Sequence, residues 1–102
     1  MYYKSTRDSG VKKTPAEAIV QGISADGGLF VPSEIPQITM DEIVKLGDMS
    51  YSDRAAYIFA KYLTDFTEAE ILYCTDNAYN DKKFATENIS EISHLFDGTY
   101  IL

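Results

Sequence analysis

A chain of 102 residues holds one domain at most, and its 45% hydrophobic and 25% charged residues, with six Gly and three Pro, are those of a folding globular chain. Sixteen acidic against nine basic residues leave a net charge of −7, which repels nucleic-acid phosphates and anionic lipid and excludes both as expected partners. One cysteine, Cys74, excludes an internal disulfide framework, and one histidine, His94, leaves too few soft ligands for a structural zinc or iron–sulfur centre.

In chain order, Met1-Tyr2-Tyr3-Lys4 does not open like a signal peptide, so the chain is expected to be cytoplasmic. Tyr2 to Thr6 alternates bulky and polar residues and predicts a short strand. Thr14 followed by Glu17, with Pro15 at the first helical position, predicts a helix from Pro15 to about Ile23 whose buried stripe is Ala16, Ile19, Val20 and Ile23. Asp26-Gly27-Gly28 predicts a turn reaching positive φ, Leu29-Phe30-Val31 a short strand, and Pro32 to Pro36 an extended, non-helical segment.

Three more hydroxyl-to-carboxylate start signals follow at Thr39/Glu42, Ser50/Asp53 and Thr67/Glu70. The helix after Thr39 is expected to stop at Gly47 in a left-handed cap. The helix after Ser50 is expected to reach about Leu63 and to bury Ala55, Ile58, Phe59, Tyr62 and Leu63. The helix from Glu68 to about Tyr79 turns Ile71, Leu72, Thr75, Ala78 and Tyr79 inward. Apolar pairs flank two of the starts as staples, Ile38 with Ile43 and Phe66 with Ile71. The longest unbroken apolar run, Ala55 to Ala60, is far short of the roughly 20 residues that span a bilayer. Asp97-Gly98 opens a turn and Thr99 to Leu102 reads as an apolar strand, which predicts a piece of a longer protein. The expected fold is a small, mostly helical α+β domain over 1–102, with about four helices and a minor β-sheet of short strands.

Chemistry-bearing residues are few. His94 reads as a surface or capping histidine, and Cys74, one position off its helix's apolar stripe, as a small half-buried hydrophobe. The acidic side chains Glu68, Glu70, Asp76, Glu87 and Glu91 read as solvated helix faces rather than a paired acid and base. Two clusters stand out. Lys4-Ser5-Thr6-Arg7 sets two cations and two hydroxyls at a strand end, donors suited to a phosphate or carboxylate, or else a polar edge strand. Asp26-Gly27-Gly28 lets backbone come close to a ligand, or else only makes the turn of a two-stranded edge.

The order and spacing of Tyr3-Lys4-Ser5-Thr6-Arg7, of Ala16-Glu17-Ala18-Ile19 with Gln21-Gly22, and of Asp26-Gly27-Gly28-Leu29-Phe30-Val31-Pro32 with Ile35-Pro36 resemble the opening of the threonine synthases. Met49-Ser50-Tyr51 with Asp53 and Ala55, and the closing Tyr100-Ile101-Leu102, are similar to later segments of that family. The resemblance implies a parent enzyme of the fold-type II pyridoxal-phosphate class that converts O-phosphohomoserine and water to threonine and inorganic phosphate. It also implies that the cofactor's lysine and the glycine-rich phosphate loop belong to catalytic domains outside these residues, so no catalytic or cofactor-binding residue maps onto this chain. The expected role is then an N-terminal domain, inactive alone, with Lys4, Ser5, Thr6, Arg7, Asp26, Gly27 and Gly28 as candidates to face the substrate cleft. Many members carry Gly directly after Ser-Thr-Arg, where this chain has Asp8 and reaches a glycine only at Gly10. Two alternatives accompany this reading: a threonine-synthase-like phospholyase, and a free-standing acidic interaction module.

Overall fold

The computed structural model describes residues 1–86 and 89–102. Among them lie, in order, β1 (Tyr3–Ser5), α1 (Pro15–Gln21), β2 (Phe30–Pro32), α2 (Met40–Gly47), α3 (Tyr51–Tyr62), α4 (Glu68–Ala78), β3 (Ser93–Phe96) and β4 (Thr99–Ile101). The fold is therefore small α+β, with four helices and two separate antiparallel strand pairs, β1 with β2 and β3 with β4. No helix among the described residues is long and apolar enough to cross a membrane.

Local chemistry starts each helix. Thr14, Thr39 and Thr67 accept the N–H three residues on, and Glu17, Glu42 and Glu70 reach back to the cap N–H. Ser50 makes only half of this device: its hydroxyl accepts from Asp53 N, but the Asp53 carboxylate, one carbon shorter than Glu, takes the Ser50 hydroxyl rather than the cap N–H. Helix α1 stops two residues before the expected Ile23 because Gly22 turns to φ +75°. Gly47 corrects another expectation. It stays inside α2, and the chain leaves through Asp48 at φ −90°, with Asp48 and Met49 donating to the carbonyls of Lys45 and Leu46 instead of through a left-handed glycine.

The strands are shorter than predicted. β1 and β2 pair with Tyr3 opposite Pro32, Lys4 opposite Val31 and Ser5 opposite Phe30, so the strand anticipated at Leu29 begins one residue later. β3 was not expected: Ser-His-Leu-Phe pairs with β4 around Gly98 at φ +71°, and Glu91-Ile92 ahead of it mask its alternation. Every residue of this hairpin is exposed.

Packing centres on α3 and α4. Ala56 of α3 and Ile71 and Thr75 of α4 are buried, while the predicted inward residue Phe59 is exposed; a small side chain at 56 suits a close approach of the two helices. Ser52 on α3 donates to Asp76 on α4, and the Tyr51 and Tyr79 rings meet edge to face at 4.9 Å. Asp65, between these helices, accepts from Ala16 N at the start of α1 (3.1 Å), which ties α1 to the pair. On α1 the expected stripe is rotated: Pro15 and Ala18 are buried, whereas Ile19, Val20 and Ile23 face outward.

Candidate functional site

The strand β1 carries Ser5 on the face opposite Lys4, and the backbone turns so that Arg7 follows it toward the Ser24–Gly28 turn. That turn is closed by Gly27 N donating to the Ser24 carbonyl (2.8 Å) and Ser24 N donating to the Gly28 carbonyl (3.0 Å). Into it the buried Ser5 hydroxyl donates to Asp26 Oδ1 at 2.8 Å, and the same oxygen accepts from Gly28 N at 2.8 Å. Arg7 N donates to Ser5 Oγ (3.1 Å), and Arg7 Nη1 donates to the Asp26 carbonyl (3.0 Å). Thr6 completes the link by exchanging two bonds with Leu29, its N–H to the Leu29 carbonyl and its hydroxyl from the Leu29 N–H.

The two clusters that the sequence offers separately are thus one clasp. The antiparallel pairing proposed as the bland alternative is present, and the close approach allowed by the glycine pair is made to Ser5 and Arg7 of the same chain. Gly27 sits at φ +77°, and a side chain at Gly28 would overlap Ser5 Oγ and press within 3.1 Å of Arg7 N. The Gly28 N–H and Ser5 hydroxyl, then the Ser24 hydroxyl and Arg7, hold the Asp26 carboxyl below its ordinary range against the opposing effect of desolvation. Asp26 is therefore a permanent acceptor at neutral pH. Arg7 remains exposed with only part of its five-donor guanidinium engaged, and Lys4 is half-buried on the other face of β1. Ser24, absent from the predicted set, is buried at the centre of the clasp; a hydroxyl residue two before Asp-Gly-Gly was its signal.

Outside the clasp, Cys74 is exposed, which corrects the half-buried expectation: α4 packs through Ile71 and Thr75, and position 74 falls beyond their arc. His94 is a surface residue on β3, its ring 4.9 Å from that of Tyr100. Glu68, Glu70, Asp76 and Glu91 are exposed, although Glu70 closes a cap and Asp76 holds Ser52; Glu87 lies outside the described residues. A hollow of about 690 Å³ between α3 and α4 is lined by Ala56, Tyr57, Phe66, Ile71 and Leu72 among others.

A second polar cluster, not anticipated, pins α2 to α3. Glu42 accepts from Thr39 N (2.7 Å), from the Tyr57 hydroxyl and from Lys61 Nζ (3.0 Å). The Thr39 N–H, then Tyr57 and Lys61, push the Glu42 carboxyl far below its ordinary range. A carboxyl with a lowered folded-state pKa binds fewer protons folded than unfolded. Its contribution is present above the ordinary Glu value, about 4.3, and is lost as pH falls through that value and below. Thermal unfolding followed from pH 7 to pH 3 is expected to fall less steeply for Glu42→Gln than for the parent. Parallel curves would show that the cluster carries none of the acid sensitivity.

With this geometry in view, comparison with known proteins places the chain. Residues 2–79 match the family model described as the threonine synthase N terminus. The chain belongs to the threonine synthase family. Threonine synthase of Corynebacterium glutamicum is 32% identical over 108 aligned residues, covering 99% of this chain and 22% of that protein. Threonine synthase of Methylobacillus glycogenes is 28% identical over all of this chain and 23% of its own length. Threonine synthase-like 1 of Homo sapiens is 31% identical over 85% of this chain and 12% of that protein. The chain therefore spans less than a quarter of the length of the threonine synthases it matches, and the clasp and all four helices fall within the matched N-terminal region.

Proposed function

We propose that this chain is the N-terminal domain of a pyridoxal-phosphate-dependent lyase that converts O-phosphohomoserine and water to threonine and inorganic phosphate in cytoplasmic threonine biosynthesis. The match to threonine synthases over nearly the whole chain carries this reading. Among the described residues, none of the seven lysines lines the hollow between α3 and α4 or the one beside Ile19, and Lys61 is held as an ammonium by Glu42. These two hollows therefore offer the cofactor no lysine, and the reading assigns it, with the catalytic lysine, to the remainder of the enzyme. The similarity to threonine synthase-like 1 supports a second reading, a related phospholyase with a shifted substrate. Formation of threonine together with phosphate from O-phosphohomoserine by the full-length protein separates the two.

Within the enzyme, the clasp is proposed to lie on the side of this domain that faces the substrate cleft, with Arg7 as the exposed donor, Ser5, Thr6, Asp26, Gly27 and Gly28 as the scaffold that holds it, and Lys4 on the other face of β1. A phosphorylated substrate needs charge-assisted donors along its path, and Arg7 is exposed with donors to spare. Arg7→Ala in the full-length enzyme is expected to lower kcat/KM for O-phosphohomoserine by about tenfold or more with the melting temperature nearly held, since a hydrogen bond to a charged group contributes about 1.5–3 kcal/mol. Arg7→Lys should recover part of the loss. Kinetics that stay at the parent level, or that fall only as the protein unfolds, would leave Arg7 as a strut for the Asp26 carbonyl.

A further inference from the structure

Helix α1 and the residue after its Gly22 cap present apolar side chains to solvent. Ile19, Val20 and Ile23 are 60%, 89% and 62% exposed, and Leu29, joined to Ile23 by an antiparallel bridge, is 63% exposed. Ile23 and Leu29 thus stand beside the clasp, because Leu29 is the residue that Thr6 holds on both its N–H and its carbonyl, and Ile19 and Val20 lie on the last turn of α1 just before them. Ile19 also borders a hollow of about 240 Å³ shared with Tyr3, Phe30 and Leu63, large enough to admit a side chain from a partner. The periodicity that predicts burial for these residues is real, and what it lacks within the chain is a partner.

The dimensions of the whole chain agree. Its accessible surface is 7572 Å², against about 5,800 Å² for a closed monomer of this mass, and its radius of gyration is 16.5 Å, against about 13 Å for a compact domain of this length. The exposed β3–β4 hairpin contributes to this excess together with Ile19, Val20, Ile23 and Leu29. A second copy is a poor cover, since it would bring another net charge of −7 against the first. The threonine synthases that match the chain are more than four times its length.

We propose that Ile19, Val20, Ile23 and Leu29 form the face on which this domain is seated against an apolar patch of the remaining, catalytic part of threonine synthase. The proposal rests on the threonine synthase reading, and it makes the seat a neighbour of Arg7, so that docking α1 fixes the clasp relative to the cleft. The test is thiol labelling of the full-length protein in a Cys74→Ser background, with a polar maleimide and mass spectrometry of the labelled peptides. The thiol introduced by Val20→Cys should react at least about tenfold more slowly under native conditions than one introduced by Ser9→Cys on an exposed loop, and equally fast in denaturant. Equal native rates overturn the proposal. Protection that vanishes on dilution, with a matching change from dimer to monomer in sedimentation, also overturns it, because a second copy would then be the cover. Phosphate release measured on the same samples keeps the two readings apart: release without protection sinks the docking face alone, and protection without release sinks the activity while the docking face stands.

Discussion

Gly28→Ala is expected to lower the unfolding free energy by about 2–3 kcal/mol, a cost typical of forcing atoms into a filled interior. The added Cβ would occupy the space of Ser5 Oγ and approach Arg7 N at 3.1 Å, and neither neighbour is the free end of a flexible side chain. Ser5 is buried and bound to Asp26, so moving it breaks the 2.8 Å bond to Oδ1 as well as the one it accepts from Arg7 N. Gly27→Ala makes the contrast. Its Cβ would meet only the Arg7 guanidinium, which can swing away at the loss of its exposed bond to the Asp26 carbonyl, and the left-handed backbone at φ +77° adds about 1 kcal/mol. Denaturant midpoints should therefore order as parent, Gly27→Ala, Gly28→Ala. Combining Gly28→Ala with Ser5→Ala should cost less than the two changes summed, because removing the hydroxyl relieves the overlap. Strict additivity would place the strain elsewhere, and an unshifted midpoint for Gly28→Ala would remove the clasp as a structural unit.

Much of this clasp was legible because its parts are encoded locally. A Gly pair after Asp can only be a turn, and the alternation of Tyr2 to Thr6 can only be a strand, so both clusters were visible without their partner. What joins them is a pairing across 21 residues, Ser5 to Asp26, and no short-range rule carries that distance. The helix starts were legible for the same local reason, and the one incomplete box, at Ser50, differs by a single methylene in its carboxylate. Burial was read less well. A stripe of period 3.6 shows that a face is to be covered but not which neighbour covers it, and on α1 the described chain turns Pro15 and Ala18 inward in place of Ile19 and Val20. On α3 the expected stripe runs through Ala55, Ile58 and Phe59, whereas the residue buried at the crossing is the neighbouring Ala56. The Glu42 cluster was hidden because its carboxylate already had a local role in the Thr39 cap, and Tyr57 and Lys61 come to it from the next helix.

Ile71→Ala is expected to cost about 2–4 kcal/mol, since truncating a buried aliphatic loses its transfer free energy and leaves a cavity that relaxes only in part. Ile71 is 4% exposed, and the other buried hydrophobic residues among those described are the alanines Ala18 and Ala56. It is also the fourth residue of α4, where it meets the same hollow as Phe66, the residue just before the Thr67 cap. One side chain thus sits at the staple position of the helix and lines the hollow between α3 and α4 beside Ala56 and Tyr57. Because that hollow opens to solvent, the neighbours can settle and water can enter, which places the cost nearer the lower end of the range. Val44→Ala on the exposed face of α2 provides the control, expected within about 0.5 kcal/mol of the parent. The two variants should also differ in hydrogen exchange: Ile71→Ala should release the amides of α3 and α4 together, because Ser52 to Asp76 and Tyr51 to Tyr79 hang on the same packing. Should Ile71→Ala shift the unfolding midpoint no further than Val44→Ala, the helix pair would not be the framework of this domain, and the burden would pass to the β1–β2 pair and the clasp it carries.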